Sequence, residues 1–373
     1  MKIFICFILL SIPLFSPASA LPSLDDIDSV VEAARQKFRI PGVSIAILIN
    51  GKTVLLRSYG YRNKEMQPVT ENTLFAIASC TKSFTTYLLG QLVDQKKVSW
   101  DDPICLHLPT FCLKDRYATE NMTLRDLVTH RSGLPSYDEL WYGSCLSLEE
   151  LLENLQYLEP TCTLRQKAQY SNLMYAVAGL VIEKVTGLSY AEVLSEQIFL
   201  PLDMQRANTS IDQMQQDSDF AEPFAFTDNS LEPISFCNPH NVLAACGVNA
   251  SITDVAKWLE LQMQTHPQHI RKSTLKEIHS EQVAFGLYPY HTGKWEGYGI
   301  GGWPFGYALG WVTGLHQGRY ILSHVGVLDG FNSVMGFMPK ERMGVAVLMN
   351  SANTGLAAPK IAEQLLLLLY QTQ

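Results

Sequence analysis

Ser79 and Lys82 stand three residues apart in the run Ala78-Ser79-Cys80-Thr81-Lys82-Ser83-Phe84. A serine hydroxyl is a weak nucleophile at neutral pH and needs a neighbouring base to take its proton. On a helix, positions i and i+3 share a face, so the lysine amine can reach the hydroxyl. Burial of that lysine would let it lose its proton near neutrality, because a low dielectric penalises the charged form. Near a helix start, free backbone N–H groups and the helix dipole also favour negative charge developing beside Ser79. The chemistry open to this pair is acyl transfer through a covalent ester.

The spacing S-x-x-K alone is weak, and the chain holds a second copy, Ser273 to Lys276. Its neighbours Arg271, Lys272, Glu277 and His279 are polar or charged, so it reads as a solvated helix surface. Tyr170-Ser171-Asn172 supplies the next parts. The phenol can relay a proton, and the amide can orient the lysine or bind a substrate amide. Tyr61-Arg62-Asn63 repeats that spacing but closes a predicted hairpin.

A third part should be an exposed polar residue on a strand beside the nucleophile, and three H-x-G triplets compete for it. His316-Gln317-Gly318 is a tight turn, and His291-Thr292-Gly293 lacks strand flanks. His324-Val325-Gly326 ends a β-rich run, and we assign the role there. The backbone N–H of Val327 would then pair with that of Ser79 as an oxyanion hole.

These residues need a scaffold, and the patterning predicts one. Leu24, Ile27, Val31, Ala34 and Phe38 recur at helical spacing ahead of Pro41. Val43 to Ile49 and Thr53 to Tyr59 are β-rich and joined at Asn50-Gly51, the strongest short hairpin signal. Helical patterns occupy Ser83 to Asp94, Thr123 to Thr129, Leu148 to Leu155, Asn172 to Thr186, Tyr190 to Ile198 and Thr253 to Gln264. Strands return at Ala308 to Leu315, Arg319 to His324, Ser333 to Phe337 and Gly344 to Met349, before a last helix from about Pro359 to Tyr370. The predicted fold is α/β: an antiparallel sheet flanked by N- and C-terminal helices, with a large, mostly helical insert. Residues 21–74 and 300–373 form the sheet region, and 75–299 the helical region that carries S-x-x-K and Y-x-N.

Composition narrows the classes. The 373 residues are 47% hydrophobic and 17% charged, a globular balance, and the net charge of −8 leaves no footprint for nucleic acid. Residues 1–20 read as a cleaved signal peptide: Lys2, an apolar run from Ile3 to Leu10, and the small residues Ala18-Ser19-Ala20. That run and Leu365 to Leu369 are each too short to span a bilayer.

Secretion would place the cysteines in an oxidising compartment. Spacing suggests Cys105 with Cys112, Cys145 with Cys162 and Cys237 with Cys246, leaving Cys80 odd, although spacing alone does not fix connectivity. Asn121, Asn208 and Asn249 each open an N-x-S/T acceptor for glycosylation. No C-x-x-C or H-E-x-x-H pattern supports zinc. Gly297 to Gly302 matches G-x-G-x-x-G without a helix after it, and no G-x-S-x-G elbow occurs. The acyl chemistry calls for no cofactor. His130 and Arg131 are read as fixing a turn beneath the site. Tyr137, Trp141 and Tyr142 stay open between a substrate rim and loop packing.

Taken in order, Ser79-x-x-Lys82, Tyr170-x-Asn172 and His324-x-Gly326 resemble the serine β-lactamase-like family. That family includes class C β-lactamases, D,D-peptidases, D-aminopeptidases, esterases and secreted animal β-lactamase-like proteins. Ile40 to Val43, Thr123 to Leu127, His130 to Leu134, Tyr307 to Trp311 and Gly330-Phe331 extend the likeness over nearly the whole chain. The resemblance implies an acylated Ser79, proton transfer shared by Lys82 and Tyr170, and a cleft lined by Asn172, His324, Gly326 and Val327.

One departure matters. Where class C enzymes carry Lys-Thr-Gly, this chain has His324-Val325-Gly326, which weakens recognition of a substrate carboxylate. The expected function is a secreted, extracellular serine hydrolase acting on a short ester or amide, with a small-molecule or peptide acyl substrate as partner. The alternative is a secreted extracellular-matrix or binding protein that keeps the scaffold with little catalysis.

Overall fold

The computed structural model describes residues 21–227, 230–263, 269–284, 300, 304–352 and 357–371. The predicted signal peptide, the His291 triplet and most of the 297–302 glycine run lie outside the described residues.

Helix α1 (Leu24–Lys37) starts where Ser23 caps it: Ser23 Oγ accepts from the Asp26 N–H at 3.1 Å. Asp25 and Asp26 in the first turn and Arg35 and Lys37 in the last complement the helix dipole. Its apolar stripe buries Ile27, Val31 and Ala34. Strands β1 (Gly42–Ile49) and β2 (Lys52–Gly60) follow, and Asn50 and Gly51 between them have φ of 55° and 71°. Two positive φ values are what a type I′ hairpin turn requires.

The helical region is organised around α2 (Lys82–Asp94), which is buried on nearly every side. Its buried polar side chains are hydrogen-bonded, as Thr85 Oγ1 is to the Ala244 carbonyl and Thr86 Oγ1 to the Leu309 carbonyl. Phe84 on α2 stacks on Trp258 at 4.0 Å between ring centroids, and the Trp258 indole donates to Ser83 Oγ at 3.1 Å. Beside α2 run α3 (Asn172–Thr186) and α4 (Ile252–Met263).

The chain then returns to the sheet with β3 (Val283–Ala284), β4 (Pro304–Tyr307), β5 (Val312–His316), β6 (Arg319–Leu328), β7 (Phe331–Met338) and β8 (Met343–Met349). Helix α5 (Ala357–Gln371) closes the described chain. The strand order is β2-β1-β8-β7-β6-β5-β4-β3, and every recorded pairing is antiparallel. The first and last strands meet in the middle, with Val43 opposite Met349.

All residues of β1, β7 and β8 are buried, because both faces of the sheet are covered. On one face, α1 and α5 pack over Val43, Ile45, Val334, Val345 and Val347. On the other, a larger core joins Ala46, Met335 and Leu348 to α2, α3 and α4. The interior is therefore two cores separated by the sheet. The placement of Val283 and Ala284 on the sheet edge shows that the helical insert also contributes a strand. Among the described residues, no helix is long and apolar enough to cross a membrane.

Three predicted features need correction. The seven described cysteines are free thiols, so Cys105–Cys112, Cys145–Cys162 and Cys237–Cys246 are not bridged. Nearness in sequence does not bring Cβ atoms to bridging distance or direction. Cys246 instead buries its thiol against the Val242 carbonyl at 3.8 Å.

Two of the three glycosylation acceptors are interior. Asn208 is 6% and Asn249 1% exposed, and Asn249 Nδ2 donates to Asn208 Oδ1 at 2.9 Å. A glycan needs that amide nitrogen at the surface, so only Asn121 remains a candidate among them. Third, His324 is not an exposed strand residue but is buried at 2% exposure.

Candidate active site

The backbone around Ser79 is fixed before any side chain acts. Phe75 and Ala76 pair with Ala250 and Asn249, and the Ile77 N–H donates to the Val248 carbonyl at 3.0 Å. Ala78 then takes a φ of 47°, a left-handed conformation that a non-glycine residue seldom adopts. This sharp bend starts a 3₁₀ turn, Ala78–Thr81, that runs into α2. Thr81 Oγ1 receives the Val248 N–H at 3.0 Å, and Ser333 Oγ of β7 donates to the Ile77 carbonyl at 2.8 Å. Strained backbone of this kind persists where its surroundings over-determine it.

Strand β6 presses directly on this bend. A Cβ at Gly326 would lie 2.1 Å from the Ile77 carbonyl oxygen and 2.4 Å from Ser333 Oγ. Only glycine lets the strand carrying Val327 come so near Ser79. Gly326→Ala is expected to push β6 off the bend, lowering stability by about 1–3 kcal/mol and turnover by about 10- to 100-fold. Urea denaturation and steady-state assays would measure this, and turnover equal to the parent would contradict it.

Lys82 lies one turn after Ser79, fully buried. Its Nζ donates to Ser79 Oγ at 3.0 Å, Asn172 Oδ1 at 2.7 Å and the Ala245 carbonyl at 3.0 Å. The rings of Tyr170 and Tyr175 face the same nitrogen at 4.7 and 5.3 Å. Burial pulls its pKa from 10.5 down to about 8, against smaller upward pulls from Cys246, Asp138 and Cys80. A neutral lysine has two N–H bonds and one lone pair. Asn172 and Ala245 take the two hydrogens, which leaves the lone pair for the Ser79 hydroxyl.

Tyr170 and Asn172 arrive on a loop with its own anchor. Ser171 caps α3 by accepting from the Met174 N–H at 3.4 Å, and its own N–H donates to His130 Nδ1 at 3.1 Å. The His130 carbonyl receives the Gln169 N–H at 2.7 Å. The His130 ring lies against Tyr170, with centroids 4.4 Å apart. His130, itself at a φ of 60°, thus holds the turn beneath the site. Burial, then the neighbouring Lys82 and His324, keeps its pKa well below the ordinary value.

Beneath that turn, buried Asp126 binds Arg165 Nη2 at 2.7 Å and Arg131 Nη2 at 2.9 Å, and it completes a capping box with Thr123. The Tyr170 phenol is hydrogen-bonded to Ser79. Burial, followed by the nearby Tyr307, raises its pKa well above the usual tyrosine value, with the Ser79 bond opposing. It is therefore a protonated phenol beside the nucleophile.

His324 is near the group but turned inward. Its Nε2 pairs with the Tyr307 hydroxyl at 2.9 Å and its Nδ1 with the Val325 carbonyl at 2.8 Å. Since Nδ1 faces a carbonyl, it must carry the proton, and Nε2 accepts from the tyrosine. Burial, then the Lys82 charge, lowers its pKa to about 3. The ring is neutral and both nitrogens are engaged, so it has no free donor for a substrate.

Val327, by contrast, is 63% exposed on the same strand. The remaining sequence candidates stay apart from this cluster: Ser273 and Lys276 are exposed on the helix Lys272–Ile278, and Asn63 ties to Gln67 in an exposed loop. Cys80 is inert, with its thiol in contact with the His324 carbonyl at 3.2 Å and its pKa pushed by burial to about 12.

Two groups at the site were not found in the sequence. The Ala245 carbonyl has no side-chain signature. Asp138 lies between aromatic residues that drew attention themselves, and it accepts at Oδ1 from Asn172 Nδ2 at 3.1 Å and from the Trp141 indole at 2.6 Å. Trp141 packs inside, whereas Tyr142 is half-exposed and donates to Asp329 across the β6–β7 turn.

The comparisons with known proteins agree with this geometry. A family profile described as Beta-lactamase matches residues 27–369. The chain is 30% identical to "Unguisins hydrolase ungD'" of Aspergillus campestris, over 89% of this chain and 62% of that protein. It is 27% identical to "Protein flp" of Staphylococcus aureus, over 92% of this chain and 66% of that protein. It thus spans less than two thirds of the length of either relative. Among solved structures it superposes on the octameric penicillin-binding protein homologue from Pyrococcus abyssi with a TM-score of 0.80 and 26% identity, covering 94% of this chain and 78% of that one. Sequence, fold and profile converge, and the chain belongs to the Beta-lactamase family.

Proposed function

We propose that this chain is an extracellular serine hydrolase that turns over a short ester or amide through an acyl-enzyme on Ser79. The observation that carries the reading is the set of three contacts at Lys82 Nζ, which directs the lone pair of the amine, once it has lost its proton, at Ser79 Oγ. In the first step Lys82 takes the hydroxyl proton while Ser79 Oγ bonds to the acyl carbon. The backbone N–H groups of Ser79 and Val327 hold the resulting oxyanion. Tyr170 passes a proton to the leaving group as its bond to the acyl carbon breaks, and Lys82 restores the phenol proton. Water, activated in the same way, then releases the acyl group.

The preference for an ester or uncharged amide is supported by the inward turn of His324 and by Val325, which offer no cation or hydroxyl to a carboxylate. The name of the Aspergillus relative supports hydrolysis as the reaction class. Extracellular action is supported by the N-terminal sequence pattern.

The test is labelling of the purified chain by a fluorophosphonate, with Ser79→Ala as control, followed by turnover of p-nitrophenyl esters, a cephalosporin and D-amino-acid amides. Labelling lost in Ser79→Ala, with esters turned over faster than the cephalosporin, is the expected result. No labelling between pH 7 and about 9, the range that spans the lysine titration, would leave a binding protein in its place. The reverse substrate ranking would refute the preference.

A further inference from the structure

We infer that Asp138 is a positioning residue: through Asn172 it fixes the orientation of the amide that grips Lys82, and its carboxylate acts on the lysine across that bridge. The inference rests on the acyl-transfer reading above. Asn172 sits between two neighbours that leave its amide one orientation. A lysine ammonium offers only donors, so the atom facing Lys82 must be Oδ1, at 2.7 Å. A carboxylate offers only acceptors, so the atom facing Asp138 must be Nδ2, at 3.1 Å. Reversing the amide would set N–H against N–H on one side and oxygen against oxygen on the other.

Asp138 is itself held. The Trp141 indole donates to the same Oδ1 at 2.6 Å, and the Asp138 carbonyl receives the Trp141 and Tyr142 N–H groups at 3.2 and 2.8 Å. Tyr137, just before it, has a φ of 47°, which turns the chain into the short 3₁₀ helix that Asp138 opens. The result is one line of contacts from Trp141 through Asp138, Asn172 and Lys82 to Ser79.

The charge matters because of what else faces Lys82. Cys80 and Cys246 are buried thiols whose pKa values are pushed to about 12, and the phenols of Tyr170 and Tyr175 are pushed well above the ordinary value. The imidazoles of His130 and His324 are held neutral by burial. Around neutrality these groups carry no charge, and among the described residues Asp138 is the carboxylate that bears on the lysine. A base that must later return its proton works best with a pKa near the working pH. Asp138 opposes the burial that would otherwise drive Lys82 lower.

The experiment uses the whole chain with ¹³Cε-labelled lysine, the Lys82 signal being assigned from its absence in Lys82→Met. Asp138→Asn keeps an oxygen that accepts from both Asn172 and Trp141 but removes the charge. The Lys82 midpoint is expected near 8 in the parent and lower by about 1 unit in Asp138→Asn. The acidic limb of fluorophosphonate labelling should move down by the same interval. Asp138→Ala removes the acceptor as well, so labelling should also slow at every pH, while a thermal melt reports whether that variant is folded. An unchanged Lys82 midpoint in Asp138→Asn would overturn the inference. That readout needs no reactive serine, so it stands apart from failure of labelling, which would count against the acyl-transfer reading itself.

Discussion

Lys82→Met is expected to slow acylation of Ser79 by about 10²- to 10⁴-fold, the range for removing a placed general base. Methionine fills similar space without a lone pair that can take a proton. Lys82→Arg should fail as well, because a guanidinium does not deprotonate in proteins. The pH dependence gives a sharper test. With a pKa of about 8, the neutral lysine is a minor form at pH 6, so the acylation rate should climb by about tenfold per pH unit before levelling above that value.

Stability should follow the same group. Below about 8 the folded and unfolded chains both protonate Lys82, and the folded chain bears the whole penalty of the buried charge. As pH rises from about 8 toward 10.5 the folded state sheds this proton first, and the penalty fades. Over that window the parent should gain stability relative to Lys82→Met in urea titrations. A pH-independent rate of labelling, with Lys82→Met near the parent, would remove lysine from the reaction.

The second large effect is on the scaffold. Asp126→Ala should destabilise the chain by about 2–4 kcal/mol, from loss of a helix cap and of two charged contacts to a carboxylate with no exposure. Arg131 and Arg165 keep some solvent of their own, which holds the figure below that of a fully buried pair. The change should also reach the chemistry. Arg165 belongs to the loop that ends in Tyr170 and Asn172, so releasing it should loosen the phenol and the amide together. Asp126→Asn keeps a capping oxygen but no charge and should fall between the two. Urea midpoints and single-turnover labelling would measure both effects. A variant within about 0.5 kcal/mol of the parent would show that the cluster is ornamental to stability.

Much of this architecture was legible in the sequence because the deciding signals are local. Asn50-Gly51 names its own turn, and the stripe in α1 and the helix from Ser83 to Asp94 follow from spacing. Ser79, Lys82, Tyr170 and Asn172 meet at one place, as their residue types suggested. The errors have a common cause, since each concerned the direction of a side chain in three dimensions. The sequence suggests an exposed strand face for His324, but the sheet is covered on both sides and the ring turns inward to Tyr307. Asn208 and Asn249 carry an acceptor pattern that says nothing about depth, and they hydrogen-bond to each other in the interior. The cysteine pairs rest on separation along the chain, which does not set where the thiols point. Asp138 has no signature in the sequence, because a lone acid in an aromatic loop forms no pattern until Asn172 stands beside it.

The pairing of β1 with β8 has a consequence for how the chain is made. Val43 emerges from the ribosome early and must wait for Met349 before its strand has a neighbour on that side. Until then the first hairpin presents an unsatisfied edge, and the loop to be closed is nearly the whole protein. Such long-range closure slows folding and leaves a window for wrong partners. The helical insert is synthesised during that wait, so the segment with the nucleophile bend and the lysine is in place along the chain before β6 arrives to complete the cleft.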